Sequence, residues 1–124
     1  MNVISWDYDD TLYDWKNKKI IEKTAKIFYE EAKSNKVVIT TYRNKRCLRD
    51  IHKNFPNVNV WATNGADKTD LLIRRGVIRH YDDDILLCRE LMGTSCEPVY
   101  ICYDEELTKN GFIPAGLKYI EMWE

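Results

Sequence analysis

The sequence lacks both a long apolar run and an excess of basic charge. No stretch approaches the roughly 18 apolar residues of a membrane-spanning helix, and the first residues do not form a charged segment followed by an apolar core. The formal net charge is −1, so nucleic-acid binding through bulk positive charge is not indicated. We therefore expect a cytoplasmic protein that is neither secreted nor bound to a membrane.

The cysteines carry no pairing pattern. The chain has four cysteines and no Cys-x-x-Cys motif, which favours reduced thiols over a metal site or a disulfide framework. It also has no internal repeat and no low-complexity linker. With 124 residues, 44% of them apolar, the chain predicts a single domain over residues 1–124 with a buried core.

Short apolar runs alternate with segments of helical periodicity. The runs predict strands at residues 3–6, 36–40, 58–62, 77–81 and 98–102, and the periodic segments predict helices at 19–34, 44–54, 67–75 and 83–92. The tail from Thr108 contains Gly111, Pro114 and Gly116 and resists assignment. Alternation of this kind predicts an α/β, doubly wound, Rossmann-like fold with a five-stranded parallel sheet and helices on both faces.

Polar side chains follow three of the predicted strands and open one helix. In a doubly wound sheet these positions meet at the carboxyl ends of the strands, where such folds bind ligands. Each residue alone also fits a helix cap or a turn. They are Asp7 and Asp9 after the first strand, Thr40 or Thr41 after the second, Lys68 at a helix start, and Asp82 and Asp83 after the fourth strand.

The order of these residues resembles the motifs of the haloacid dehalogenase superfamily of phosphohydrolases over roughly residues 2–103. Members carry Asp-x-Asp-x-Thr/Val, a Thr or Ser, a Lys and an acidic pair. The matching segments here are Asp7-Tyr8-Asp9-Asp10-Thr11, Thr41 (with Thr40 as an alternative register), Lys68 and Asp82-Asp83. One departure is Asp10, where many members have Gly.

The resemblance implies a Mg²⁺-dependent phosphatase that acts through an aspartyl-phosphate. It assigns Asp7 as the nucleophile and Asp9 as the general acid and base. Thr41 and Lys68 would bind the phosphoryl oxygens. The expected Mg²⁺ ligands are Asp7, the backbone carbonyl of Asp9, Asp82, and Asp83 either through water or as a supporting group.

The order of the motifs and the short loops narrow the prediction. Receiver domains of two-component signalling have the acidic pair first and a phosphorylated Asp after strand three, whereas strand three here is followed by Thr63 and Asn64. The gaps 13–18 and 63–67 are too short for the cap domains that enclose small substrates in this superfamily. We therefore expect no cap domain and an open site.

An open site suits a large substrate, so we expect a phosphorylated nucleic-acid end or a nucleotide. Arg43 lies two residues after Thr41, where it could meet a phosphate, and Tyr13 and Trp15 could stack on a base or simply pack on the sheet. A phosphoprotein phosphatase and a non-catalytic phosphate-binding module remain alternatives. Nothing in the sequence indicates an obligate protein partner.

Overall fold

An α/β fold with a six-stranded central sheet is seen for residues 1–123 in a computed structural model. The strands are β1 (Val3–Trp6), β2 (Tyr13–Asp14), β3 (Lys19–Ile20), β4 (Lys36–Thr41), β5 (Asn59–Ala62), β6 (Val77–Asp82), β7 (Glu97–Cys102) and β8 (Lys118–Glu121). The helices are α1 (Glu22–Ala32), α2 (Arg49–Asn54), α3 (Thr69–Arg74), α4 (Ile85–Leu91) and α5 (Glu105–Lys109).

The strand order of the central sheet is β5-β4-β1-β6-β7-β8, and every neighbouring pair is parallel. The chain runs outward from β1 through β4 to β5, then returns to the other side of β1 and continues through β6, β7 and β8. The strand order therefore reverses at β1. The short strands β2 and β3 form a separate antiparallel hairpin directly after β1.

Alternating side chains of the central strands pack against helices on the two faces of the sheet. Ile4 and Trp6 of β1 belong to the same buried cluster as Phe28 of α1 and Ile51 of α2. The side chain between them, Ser5, points the other way. The opposite face packs against α3 and α4 through a second cluster, made of Leu72, Val77, Leu87, Leu91 and Cys96.

The prediction of five strands is wrong, because β8 adds a sixth at the edge of the sheet. The side chain of Asp104 caps α5 by accepting a hydrogen bond from the Glu106 amide, and α5 leads across to β8, which pairs with β7. The sequence Lys-Tyr-Ile-Glu of β8 is mostly exposed. An edge strand of this kind has no apolar run, so sequence periodicity does not reveal it.

Several predicted helices are shorter than their periodicity suggests. The helix predicted at 19–34 begins at Glu22, since Lys19 and Ile20 pair with the strand at Tyr13 and Asp14. The helix predicted at 44–54 is a 3-10 turn followed by α2. The helices predicted at 67–75 and 83–92 are shorter in the structure, where they correspond to α3 and α4. The side chain of Asp84 caps the start of α4.

Only short segments border the carboxyl edge of the sheet. The hairpin occupies residues 13–20, and residues 63–68 join β5 to α3. The four cysteines are free, with Cys47 exposed and the other three buried. Within residues 1–123, no helix combines the length and apolar character needed to cross a bilayer.

Candidate active site

The ammonium group of Lys68 lies fully buried between two carboxylates. Its Nζ donates hydrogen bonds of 2.8 Å to Asp7 Oδ1 and 2.8 Å to Asp82 Oδ2, and it lies 4.3 Å from the centre of the Tyr42 ring. Lys68 immediately precedes α3, whereas Asp7 follows β1 and Asp82 ends β6. One cation therefore joins three separate parts of the fold at the point where the strand order reverses.

Asp7 is buried and held by two donors. Lys68 binds Oδ1, and the hydroxyl of Thr11 donates to Oδ2 over 3.2 Å. Burial raises the pKa of Asp7 well above its ordinary value; the Lys68 charge opposes this shift without cancelling it, and the nearby carboxylates of Asp82 and Asp83 add to it. Negative charge on Asp7 is thus costly unless further positive charge arrives.

Asp82 and Asp83 differ in their surroundings although they are adjacent. Burial disfavours the charge of Asp82, but Lys68 and a hydrogen bond from His80 outweigh it, so the pKa of Asp82 lies below its ordinary value. Burial raises the pKa of Asp83 to about 6, helped by the charge of Asp82. The two side chains share a region with Asp7, and one oxygen of each of the three carboxylates lies within 4.8 Å of the others.

This donor set fits a hard divalent cation. Mg²⁺ prefers oxygen ligands and binds proteins through a few carboxylates together with water and phosphate. Three carboxylates with a single ammonium among them leave the cluster rich in negative charge. The residues at hand therefore suit Mg²⁺, although carboxylates also suit other hard cations.

The two threonines that end β4 have different surroundings. The Thr40 hydroxyl lies 2.7 Å from Ser5 Oγ within the sheet. The Thr41 hydroxyl, at the end of the strand, accepts a hydrogen bond from the Arg43 amide and has no acceptor for its own proton among residues 1–123. Thr41 is therefore the better placed of the two to donate to a ligand.

Arg43 forms a bidentate ion pair with Asp9. Its Nε donates to Asp9 Oδ2 over 2.9 Å and its Nη2 donates to Asp9 Oδ1 over 2.7 Å. Its Nη1 donates to the Cys47 carbonyl and to Asp50. Four of the five guanidinium N–H groups are therefore bound within the protein, and these partners, chiefly Asp9, raise the pKa of Arg43.

The two aromatic residues of the hairpin differ in exposure. The Tyr13 ring stacks on buried Tyr8, with centroids 5.1 Å apart. The side chain of Trp15 is 61% exposed, and its ring centre lies 5.9 Å from the Arg43 guanidinium carbon. Two shallow clefts, of about 440 and 420 Å³, share Trp15, Arg43 and Cys47; Asp9 lines the first.

His80 is a member of the site that the sequence did not identify. Its ring is fully buried, with Nε2 2.7 Å from Asp82 Oδ2 and Nδ1 2.8 Å from Ser5 Oγ. The two-residue period of a strand supplied a signal, because it places His80 on the same side of β6 as Asp82. The spacing of His80 from the other His and from the Cys residues is not typical of metal ligands.

Tyr42 is a further residue near the site that the sequence did not identify, and the structure also accounts for Asp10. Tyr42 donates a hydrogen bond of 3.1 Å from its hydroxyl to Asp84, the residue that caps α4. Asp10 adopts a left-handed backbone with φ of 60°. That conformation is easiest for Gly, but Asp is among the few other residues that tolerate it, which explains how this turn forms without a glycine.

No family model, curated protein or solved structure matches this chain. The structure brings Asp7, Lys68, Asp82 and Asp83 together, with Thr41 at the end of the adjacent strand and with Asp9 paired to Arg43 beside the hairpin.

We predict that Lys68→Met destabilises the fold by about 3–5 kcal/mol, because it leaves buried carboxylates without their cation. Adding Asp7→Asn should recover part of that loss. Urea unfolding in chelator measures the free energies of unfolding. The control is Lys53→Met at an exposed position of α2, and its free energy of unfolding should stay within about 0.5 kcal/mol of wild type. Simple additivity of Lys68→Met and Asp7→Asn would contradict the proposed coupling.

Proposed function

We propose that this protein is a Mg²⁺-dependent phosphatase of the haloacid dehalogenase type, with a doubly wound sheet and no cap domain. The reaction would be the hydrolysis of a phosphomonoester through an aspartyl-phosphate on Asp7. The reversal of strand order at β1 supports the doubly wound arrangement, and it is at such a reversal that these folds bind ligands.

The observation that carries the proposal is the buried bridge of Lys68 between Asp7 and Asp82, with Asp83 in the same cluster. A helix cap or a turn residue does not require a fully buried ammonium. Buried charges are costly to maintain, so a purely structural role for this group of residues is the weaker explanation.

The residues have complementary roles in the proposed reaction. An oxygen of Asp7 attacks phosphorus while the bond from phosphorus to the leaving oxygen breaks, and Asp9 protonates that oxygen. Asp9 then takes a proton from the water that attacks phosphorus. This second step releases inorganic phosphate and restores the Asp7 carboxylate. Lys68 and Thr41 would bind phosphoryl oxygens.

Mg²⁺, when bound, would offset negative charge on the phosphoryl oxygens. Asp7, Asp82 and the backbone carbonyl of Asp9 are the proposed ligands, with Asp83 binding through water or acting as a supporting group. The donor types support the proposal, since all are oxygens and three are carboxylates.

One observation favours a second candidate, a non-catalytic phosphate-binding module. Both oxygens of Asp9 accept hydrogen bonds from Arg43, so Asp9 must give up one of them to carry a proton. Arg43 has only one N–H group left for a phosphate in this arrangement. A binder needs no acid at this position, so a kinetic test of Asp9 separates the two candidates.

A nucleic-acid end or nucleotide is the proposed substrate class. The two clefts beside Arg43 share exposed Trp15, which offers a stacking surface for a base. The second cleft is also lined by Arg49 and Lys53, whose charges suit a phosphate backbone. Tyr13 is an unsuitable platform because it packs on Tyr8.

The first prediction of this proposal is hydrolysis of an aryl phosphate that requires Mg²⁺ and stops in EDTA. Asp7→Asn should abolish turnover while the protein remains folded by circular dichroism. Beryllium fluoride should form a phosphate-like adduct on wild-type Asp7, detectable by ¹⁹F NMR and absent in Asp7→Asn. Full activity in EDTA, or an adduct on another aspartate, would refute the assigned roles.

A second prediction concerns Asp9. Asp9→Asn should lower kcat by about 10²–10⁴, the usual range for a general acid–base group. The decrease in kcat should be larger for an alkyl phosphate than for an aryl phosphate, because the aryl leaving group needs less protonation. Asp14→Asn, which changes a carboxylate bonded to Asn17 in the hairpin, is the control. Equal losses for both substrates would indicate that Asp9 is structural.

A third prediction concerns substrate size. Trp15→Ala should lower kcat/KM for a phosphorylated oligonucleotide by about 5- to 100-fold, as expected for the loss of one stacked base. An aryl phosphate should be nearly unaffected. Phe112→Ala is the control, because Phe112 is similarly exposed, at 64%, and lines neither cleft. Preference for a phosphopeptide over the oligonucleotide would favour a phosphoprotein phosphatase instead.

A further inference from the structure

Four buried polar side chains form a hydrogen-bonded row across the centre of the sheet, the polar file, which ends at the carboxylate cluster. Thr40 Oγ1 lies 2.7 Å from Ser5 Oγ, which lies 2.8 Å from His80 Nδ1. His80 Nε2 lies 2.7 Å from Asp82 Oδ2. These four residues come from neighbouring strands β4, β1 and β6, and each is at most 1% exposed.

The chemistry of the partners fixes the direction of the hydrogen bond between His80 and Asp82. Asp82 Oδ2 also lies 2.8 Å from the Lys68 ammonium, which can only donate, and Asp82 Oδ1 accepts from the Asp84 amide. Asp82 is therefore a carboxylate and can only accept, so the proton of this bond lies on His80 Nε2. This conclusion holds whether the ring is neutral or doubly protonated.

The rest of the file follows for a neutral ring. Nδ1 then accepts from the Ser5 hydroxyl, and Ser5 Oγ in turn accepts from the Thr40 hydroxyl. The proton of Ser5 is donated to Nδ1 and the proton of Thr40 is donated to Ser5 Oγ. This arrangement favours the tautomer whose Nε2–H donates to Asp82.

The file leaves Asp82 with one free direction. Oδ2 accepts from both His80 and Lys68, and Oδ1 accepts from the Asp84 amide over 3.0 Å. A carboxylate offers about four lone-pair sites, so one remains on Oδ1. Donors on both oxygens prevent the carboxylate from rotating, which keeps that lone pair in one place.

We propose that His80 is a positioning residue that orients the Asp82 carboxylate for a divalent cation, and that Ser5 and Thr40 set the tautomer of its ring. The inference rests on the proposed metal-dependent function of the same cluster. Outer partners of this kind typically account for 10- to 100-fold in metal affinity. His80 does not itself bind the cation, because both ring nitrogens are engaged in the file.

Two amide replacements separate orientation from simple filling of the core. In His80→Gln the side-chain nitrogen reaches about as far as Nε2 and can still donate to Asp82. In His80→Asn the amide reaches only about as far as Nδ1. Affinity is measured with Mn²⁺ as the probe, by electron paramagnetic resonance of the free ion, together with thermal stability in chelator.

We expect His80→Asn to weaken Mn²⁺ binding by about 10- to 100-fold and His80→Gln by less than about tenfold. The control is His52→Gln, which changes the other histidine of the chain, exposed on α2, and should leave affinity unchanged. Equal Mn²⁺ affinity in the Asn variant, the Gln variant and wild type would overturn the inference. If wild type binds no Mn²⁺, the proposed metal site fails and this inference fails with it.

A spectroscopic test does not depend on metal or on the folding of a His80 variant. With only two histidines, the imidazole ¹⁵N signals of the metal-free protein can be assigned by comparison with His52→Gln. His80 should show a neutral ring protonated on Nε2, and Ser5→Ala should shift its Nδ1 signal. A proton on Nδ1 alone, or a His80 signal that Ser5→Ala leaves unchanged, would refute the proposed file.

Discussion

The buried ammonium of Lys68 is the interaction on which the rest of the site depends. It ties the end of β1 to the end of β6 from the start of α3. Without it, the carboxylates of Asp7 and Asp82 would share a buried region with no compensating charge. Removing a charge from water costs several kcal/mol, so this arrangement survives only because each partner satisfies the others.

The central strand β1 organises both the core and the site. Successive side chains of β1 point to opposite faces of the sheet. Ile4 and Trp6 therefore pack in one apolar cluster, whereas Ser5 lies on the opposite face, where it joins the polar file. The same alternation on β6 places His80 and Asp82 on that face. The position of the Asp82 carboxylate is therefore set by strand register as well as by the loop that follows.

Sequence reasoning predicted the grouping of Asp7, Lys68, Asp82 and Asp83, because parallel strands bring their carboxyl ends to one edge. It did not find His80, although the two-residue period of β6 places His80 on the same face as Asp82. It did not find the pairing of Arg43 with Asp9 either. That contact joins two loops 34 residues apart, and the reach of a flexible side chain between loops leaves no periodic pattern.

Charge balance would link the proposed cation to the proposed phosphorylated substrate. Around the site, the ammonium of Lys68 and the guanidinium of Arg43 face five carboxylates. These are Asp7, Asp9, Asp50, Asp82 and Asp83. A phosphomonoester would add about two more negative charges, and both cations are already engaged by carboxylates. Phosphate can therefore bind well only if positive charge enters with it or before it. A divalent cation held by the carboxylates would supply that charge where the proposed phosphoryl group would lie, and metal and substrate would then each strengthen the binding of the other.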